Sequence, residues 1–408
     1  MSAAAPSADL VRRMTEPSRV AIAGIVLAVV GFWLVLPPVA SDTLTWPIAF
    51  AVLAGAAGTW AVTHGERKLG WGAVTAAAAC LVLGLSATRS SDAHLDAAVD
   101  WGALIFLMFV YATPLTFAAI GGMFSERSGV VNIGLEGMML AGAFFGILAA
   151  DKLNSWELGI MAAMAAGGVL GLIHAFFAVH LRADQIVGGT AVWFLGVGVT
   201  GYLFIKIYGE NGTPGTGVPA VPNVKLTFLQ DIPPDRVGGF LYNAFGHLNL
   251  LTWLVFALLI VSFVVMFRTS IGLRIRAVGE HPRAADTVGI SVYKTRYAAV
   301  TVSGMLAALG GAFLSIGYVH SFTENMTGGR GFIALAALIF GNWRPLGAFG
   351  AALLFGSATA LAPFLQEYGY SVGVLVQALP YVLTLIAVCG VIGRSIPPAA
   401  VGRPYVKQ

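Results

Sequence analysis

Chemistry in this chain is concentrated in one stretch, Glu126–Phe145, ERSGVVNIGLEGMMLAGAFF. The pair Glu126-Arg127 leads into a small-residue turn, Ser128-Gly129. Polar Asn132 follows, then Gly134 and Gly137 bracketing Glu136, then a long apolar run. An acid inside such a run costs about 3 kcal/mol in lipid, so it faces a bundle interior or a water-filled path. A carboxylate there has three uses: to hydrogen-bond a polar solute, to carry a proton or sodium ion, or to satisfy backbone groups of a broken helix. The sequence leaves these three open.

Other reactive groups point away from catalysis. Cys80 and Cys389 both lie in apolar runs, far apart in sequence, which implies neither a disulfide framework nor a thiolate metal site. The seven histidines include no HxxxH or HExxH spacing. No nucleophile–base pair or acid pair suggests a membrane enzyme. A P-loop needs Gly-Lys-Ser or Gly-Lys-Thr, and no Gly-Lys dipeptide occurs in the chain, so it has no phosphate cradle of its own.

The elements that position this stretch are membrane spans. Of 408 residues, 58% are hydrophobic and 10% charged, with a mean hydropathy of +0.83. A soluble domain carries about 25% charged residues. The expected fold is all-α and polytopic, with about 11–12 spans including broken or half-spans, at about 20 apolar residues per full span. The runs are Val20–Leu36, Trp46–Thr63, Leu69–Thr88, Trp101–Phe124, Val130–Ala150, Leu158–Val179 and Ile186–Ile205. After a long loop come Leu248–Phe267, Tyr297–Val319, the short Gly331–Gly341, Leu346–Leu365 and Val372–Gly393. The polar start with Arg12, Arg13 and Arg19 resembles a signal-peptide n-region. However, no A-x-A site follows the first run, so an uncleaved span is expected.

Starting from a cytoplasmic N-terminus, 17 of the 23 Lys and Arg fall inside, as the positive-inside rule demands, and both termini are cytoplasmic. The net charge of +4 is accounted for by these loops, so no nucleic-acid partner is expected. Three places break the span pattern: Pro114 mid-run, the glycine-rich Ser128–Gly137, and the short run after Thr327-Gly328-Gly329-Arg330. Interrupted segments of this kind point to a central substrate site. Gly and Pro in the loop Tyr208–His247 argue against a long helix there, and such a loop suits covering a pore or receiving a partner. In the longest internal loop, Arg268–Arg296, Pro282 and Gly289 bracket a short helix over Arg283–Val288.

Here the residues carry a resemblance. IGLRIRAVGEHPRAADTVGIS resembles the coupling loop of permease subunits of ABC importers for sugars and nucleosides. ERSGVVNIGLEGMMLAGAF resembles the first block of the nucleoside branch, and GGRGFIALAALIFGNWRPLGA its third. The blocks occur in the expected order, over roughly Trp101–Gly393. The simple-sugar branch has a sequence like Asp-Leu-Ser-Val-Gly where this chain has Asn132–Gly137, which favours nucleosides over ribose or galactose. The resemblance implies a permease core (101–393); the chain departs from it in three spans ahead of that core, an N-terminal extension (1–100), and a cytoplasmic tail (394–408) follows. It implies a bacterial plasma (inner) membrane location. The implied partners are a second, unlike permease, a separate ATP-binding ABC subunit, and an extracytoplasmic binding protein or lipoprotein. The chain itself is then non-catalytic and binds no cofactor, ATP and Mg being used by the ATPase.

Under that reading Asn132 and Glu136 are candidates to bond ribose hydroxyls or base edges, and Trp193 or Phe332 to stack on a base. Gln185 and Asn325 are polar candidates near opposite ends of the path. The coupling segment spans Gly272 to Gly289 and includes Arg276, Gly279, Glu280, His281, Arg283, Ala284, Ala285 and Asp286. Two other readings stay open: a simple-sugar ABC permease, and an ion-coupled secondary transporter with Glu136 as its ion site.

Overall fold

The structure is a computed structural model. It describes residues 16–33, 45–89, 100–209, 212–214, 217–233, 235–367 and 396–407. Among these the protein is all-α, with a lone bridge, Asn223 to Asn249, as its only extended pairing. A membrane enforces this choice, because each backbone polar group must be satisfied within its own segment.

The chain divides into two compact units. The first is Met1–Ala103 with Thr227–Ala244. It contains α1 (Pro17–Trp33), α2 (Thr45–Thr63) and α3 (Arg67–Arg89), which pack on one another through small side chains such as Ala28, Ala51, Ala54 and Ala77.

The second unit is Leu104–Leu226 with Phe245–Gln408. Its framework is α4 (Trp101–Arg127), α5 (Leu135–Leu153), α6 (Trp156–Ala175), α7 (Gln185–Tyr208), α9 (Leu250–Arg268) and α12 (Val292–Ala312). In chain order α8 (Asp235–Phe245) comes between α7 and α9, and all but its last residue belongs to the first unit. Short π-helical turns, Phe176–His180 and Phe313–Val319, extend α6 and α12. With these extensions α4, α6, α7, α9 and α12 are each long and apolar enough to cross a membrane, and the protein is a multi-pass membrane protein. The expected span Val372–Gly393 lies outside the described residues.

Helix starts follow local chemistry. Asp184 accepts from Ile186 and Val187 N–H at 2.8 and 3.0 Å to cap α7. Asn249 caps α9 through Leu251 N–H at 2.9 Å. Such caps satisfy donors that the first helical turn leaves unpaired. In the centre, α12 packs on α5 and α6. Gly167 and Gly304 meet backbone to backbone there, with no room for a Cβ on either, a close approach that only small residues allow.

Two helices lie in stretches that the sequence marked as loops. In α8, Val237, Phe240, Leu241 and Ala244 recur at helical spacing just beyond the Gly- and Pro-rich segment. In α10 (Ser270–Glu280), Gly272, Ile275, Val278 and Gly279 form one buried face while Arg274 is exposed. The expected short helix is present as α11 (Pro282–Thr287), and Gly289 past its end has φ +84°. The short run after Gly329 is α13 (Arg330–Phe340), followed by α14 (Pro345–Glu367).

Candidate functional site

The break between α4 and α5 is a buried polar loop, residues 128–134, whose backbone is read from several helices. Ser125 Oγ donates to the Val130 carbonyl at 2.7 Å. Val131 N–H donates to Gln185 Oε1 at 2.7 Å, and the Val131 carbonyl accepts from His174 Nε2 at 2.8 Å. Asn132 Nδ2 donates to Ser303 Oγ at 2.9 Å, and the Ser128 carbonyl accepts from Arg296 Nε at 3.2 Å. Irregular backbone survives at membrane depth only with such partners. Asn132 and Gln185 thus hold the loop, with Asn132 Oδ1 and Gln185 Nε2 buried and unpaired among the described groups.

Glu136, 1% exposed, sits in the first turn of α5 and reaches the start of α13. Its Oε1 accepts from Thr327 Oγ1 at 2.6 Å and Gly329 N–H at 2.8 Å, and its Oε2 accepts from Gly331 N–H at 2.5 Å. No side chain of α13's own caps its N-terminus, so the carboxylate from α5 performs that task. A negative group there also complements the helix dipole. A Cβ on Gly331 would lie 2.5 Å from the Glu136 Cα, so glycine is what admits the carboxylate.

The other end of α13 is held by the other acid of the same stretch. Trp343 Nε1 donates to the buried Glu126 Oε2 at 2.5 Å. Arg127 Nε donates to the Trp343 carbonyl at 3.2 Å, and Arg127 Nη2 to the Asn342 carbonyl at 3.4 Å. Asn342 and Trp343 both have positive φ, 51° and 52°. Non-glycine residues in that region cost about 1–3 kcal/mol each and persist only when surroundings over-determine them. Eleven residues, Glu126–Glu136, therefore clamp α13 from both ends.

Trp193 and Phe332 meet edge to face beside this clamp, ring centroids 5.2 Å apart. Trp193 packs its backbone against Gly137, and Phe332 follows the capped Gly331. Phe332 is 36% exposed, and Trp193 Nε1 has no partner among the described groups. Asn325 lies apart, exposed in the 323–329 turn with φ +54°. Of the sequence-derived residues, the structure gathers Glu136, Trp193 and Phe332 around the start of α13. It sets Asn132 and Gln185 in the adjoining loop.

The α10–α11 segment touches the same stretch from the other side. Gly279 packs against the Arg127 carbonyl with no space for a Cβ, and the Arg127 and Arg276 guanidinium groups both lie over the Phe267 ring. Arg283 and Ala284 are exposed, as are Glu280, His281 and Gly289, whereas Gly272 and Ala285 are buried. Asp286 accepts from Tyr405 Oη at 2.9 Å. Burial and the Asp286 carboxylate push the Tyr405 hydroxyl above its ordinary pKa.

Thr327, Ser303, His174 and Trp343 carry no local signal as partners, because each contact spans a long chain separation. Arg296 looked like one more loop cation, yet it is fully buried. Among the described residues no group of three or more His, Cys, Asp or Glu could hold a metal ion.

Comparison with known proteins bears on what this arrangement is for. The chain is 45% identical over 308 residues to the guanosine ABC transporter permease protein NupQ of Bacillus subtilis, covering 73% of this chain and 94% of that protein. It is 38% identical over 313 residues to the nucleoside ABC transporter permease protein NupC of Lactococcus lactis, covering 74% and 96%. Similarity to a second L. lactis protein, the nucleoside ABC transporter permease protein NupB, is lower: 23% over 299 residues, 70% of this chain and 79% of that one. No solved structure matches significantly. Residues 104–388 match the model of a family described as the branched-chain amino acid transport system permease component, and the chain belongs to that family.

Proposed function

We propose that this chain is the membrane-spanning permease subunit of an ATP-driven importer that passes nucleosides inward by alternating access. The observation that carries the reading is near full-length similarity to two permeases named for guanosine and nucleosides. The site geometry is consistent with it. A half-length helix, α13, is clamped at both ends, and an aromatic pair with one partly exposed ring stands at its start. Base–aromatic stacking is worth about 1–3 kcal/mol and tolerates any base, enough to guide a solute and weak enough to release it.

In this reading the chain performs no catalysis and holds no cofactor. ATP and Mg are bound and hydrolysed by a separate ABC subunit beneath the membrane, which α11 and its neighbours Glu280–Gly289 couple to the permease. A second, unlike permease completes the path, as the coexistence of NupB and NupC in one organism suggests. An extracytoplasmic binding protein or lipoprotein delivers substrate from the outer side. The membrane is the bacterial plasma membrane, with both termini cytoplasmic, and residues 1–100 form an extension ahead of the permease core (101–393) and its cytoplasmic tail (394–408).

The contacts support a mechanism of this kind. Motion of α10–α11 reaches Arg127 through Gly279, and Arg127 with Glu126 holds the C-terminal turn of α13. The 128–134 loop carries the displacement to Glu136 and hence to the start of α13, where Trp193 and Phe332 stand. Both ends of α13 therefore move with the coupling segment. ATP and substrate bias the same two states because they act on one rigid lever.

The test is uptake of labelled guanosine and uridine by cells expressing the whole system, with and without this chain, in competition with excess unlabelled ribose or glucose. Uptake that needs the chain and resists both sugars is expected. Uptake abolished by either sugar would replace the nucleoside assignment with a sugar one.

A further inference from the structure

The end of the chain is built into the coupling segment. Ala400 N–H donates to the Gly279 carbonyl at 2.9 Å, and Ala399 N–H to Glu280 Oε2 at 3.1 Å. Tyr405 is buried in a cluster with Val278, Ala285 and Val292 while its hydroxyl donates to Asp286. The buried Arg296 donates from Nη1 to the Arg403 carbonyl at 3.1 Å, and from Nε to the Ser128 carbonyl. One guanidinium therefore ties the last residues to the loop that leads to Glu136. Between α11 and this terminal segment runs a groove of about 520 Å³, walled by Pro282, Arg283 and Ala284 on one side and Arg403, Pro404 and Val406 on the other.

We infer that residues 399–406 form half of the surface that receives the ATP-hydrolysing subunit, and that the groove they share with α11 takes a carboxylate-bearing segment of that partner. The inference rests on the permease reading above and goes beyond it in assigning the chain terminus a docking role. Charge chooses the occupant. Glu280, the one acid that lines the groove, accepts from Ala399 N–H, and Asp286, which accepts from the Tyr405 hydroxyl, lies outside the lining. Arg283 and Arg403 are exposed and form no ion pair among the described residues. Two arginines, Arg283 and Arg403, face one carboxylate, Glu280, among the groove's lining residues, so its formal charge is positive, and complementary charge steers and registers a partner. Val406 and Val288, 49% and 73% exposed, add apolar contact area at the same segments. The two prolines give the walls fixed backbone, which lowers the ordering cost of binding.

The test uses the complete transporter in membranes, with a photo-crosslinking amino acid placed singly at Val406 or at Val288. Both side chains are exposed, so neither insertion disturbs the fold. Crosslinks to the ATPase subunit from both positions are expected. Arg403→Glu is expected to weaken binding of the ATPase to the solubilised permease pair about tenfold, and Arg403→Lys to leave it near wild type. Crosslinking to the ATPase from Val288 alone, or to lipid alone from Val406, would overturn the docking role of the tail and leave the permease reading intact. Failure of both positions to reach an ATPase in any complex would overturn both.

Discussion

Replacing Glu136 separates a structural clamp from a substrate contact, and the geometry fixes what each substitution should do. The carboxylate accepts three hydrogen bonds, two on Oε1 and one on Oε2. Glu136→Gln keeps one oxygen for Thr327 and Gly329, but turns an amide N–H toward the Gly331 N–H, leaving one buried donor unmet at about 1–3 kcal/mol. Glu136→Leu strands all three donors and removes the anion at the start of α13, which should cost about 3 kcal/mol or more. The assay is thermal unfolding of the purified complex together with uptake normalised to assembled complex. The Leu variant should lose about 5 °C or more in Tm and assemble poorly, taking about 2 °C per kcal/mol for a domain of this size. The Gln variant should show a smaller Tm loss in proportion to its single unmet donor, with uptake per assembled complex largely kept. An unchanged Tm in the Leu variant would refute the clamp. Normal Tm with lost uptake in the Gln variant would make Glu136 a substrate contact.

Three further outcomes are expected. Trp343→Phe, which strips the donor from buried Glu126, should lower the Tm of the complex by an amount equivalent to about 1–3 kcal/mol. Phe332→Ala should reduce nucleoside uptake about tenfold, as loss of one stacking partner implies, with assembly on a gel unchanged. The raised Tyr405 pKa means the neutral hydroxyl is favoured in the fold. Its stabilising effect is complete below the ordinary tyrosine pKa of 10.0 and fades as pH rises through the higher folded value. Tm measured from pH 8 to 11 should therefore fall more steeply above pH 10 in the wild type than in Tyr405→Phe.

Legibility in the sequence followed chain distance. Glu136 stood out because a charge in an apolar run needs a reason, yet its partner lies up to 195 residues away, and no local pattern reveals which backbone it caps. The 128–137 break and the short α13 were readable because Gly and run length act locally, whereas α4 runs as one helix through Pro114, which the sequence marked as a break. The same holds for α11, where Pro282 opens the helix and Gly289 takes the left-handed turn. By contrast α10 was hidden by Arg274 and Arg276, which made an amphipathic helix look like a solvated loop. The tail was illegible altogether. Residues 396–407 have no periodicity, and their order comes from Gly279, Arg296 and Asp286.

The most direct test of the account is transport in proteoliposomes containing both permeases, the ATPase and its binding protein, with labelled guanosine outside and ATP and Mg supplied to the ATPase face. The account predicts uptake that survives collapse of ion gradients and disappears when the P-loop lysine of the ATPase is replaced. Uptake that ignores that lysine and vanishes with the gradient would contradict it, and would make this chain an ion-coupled carrier.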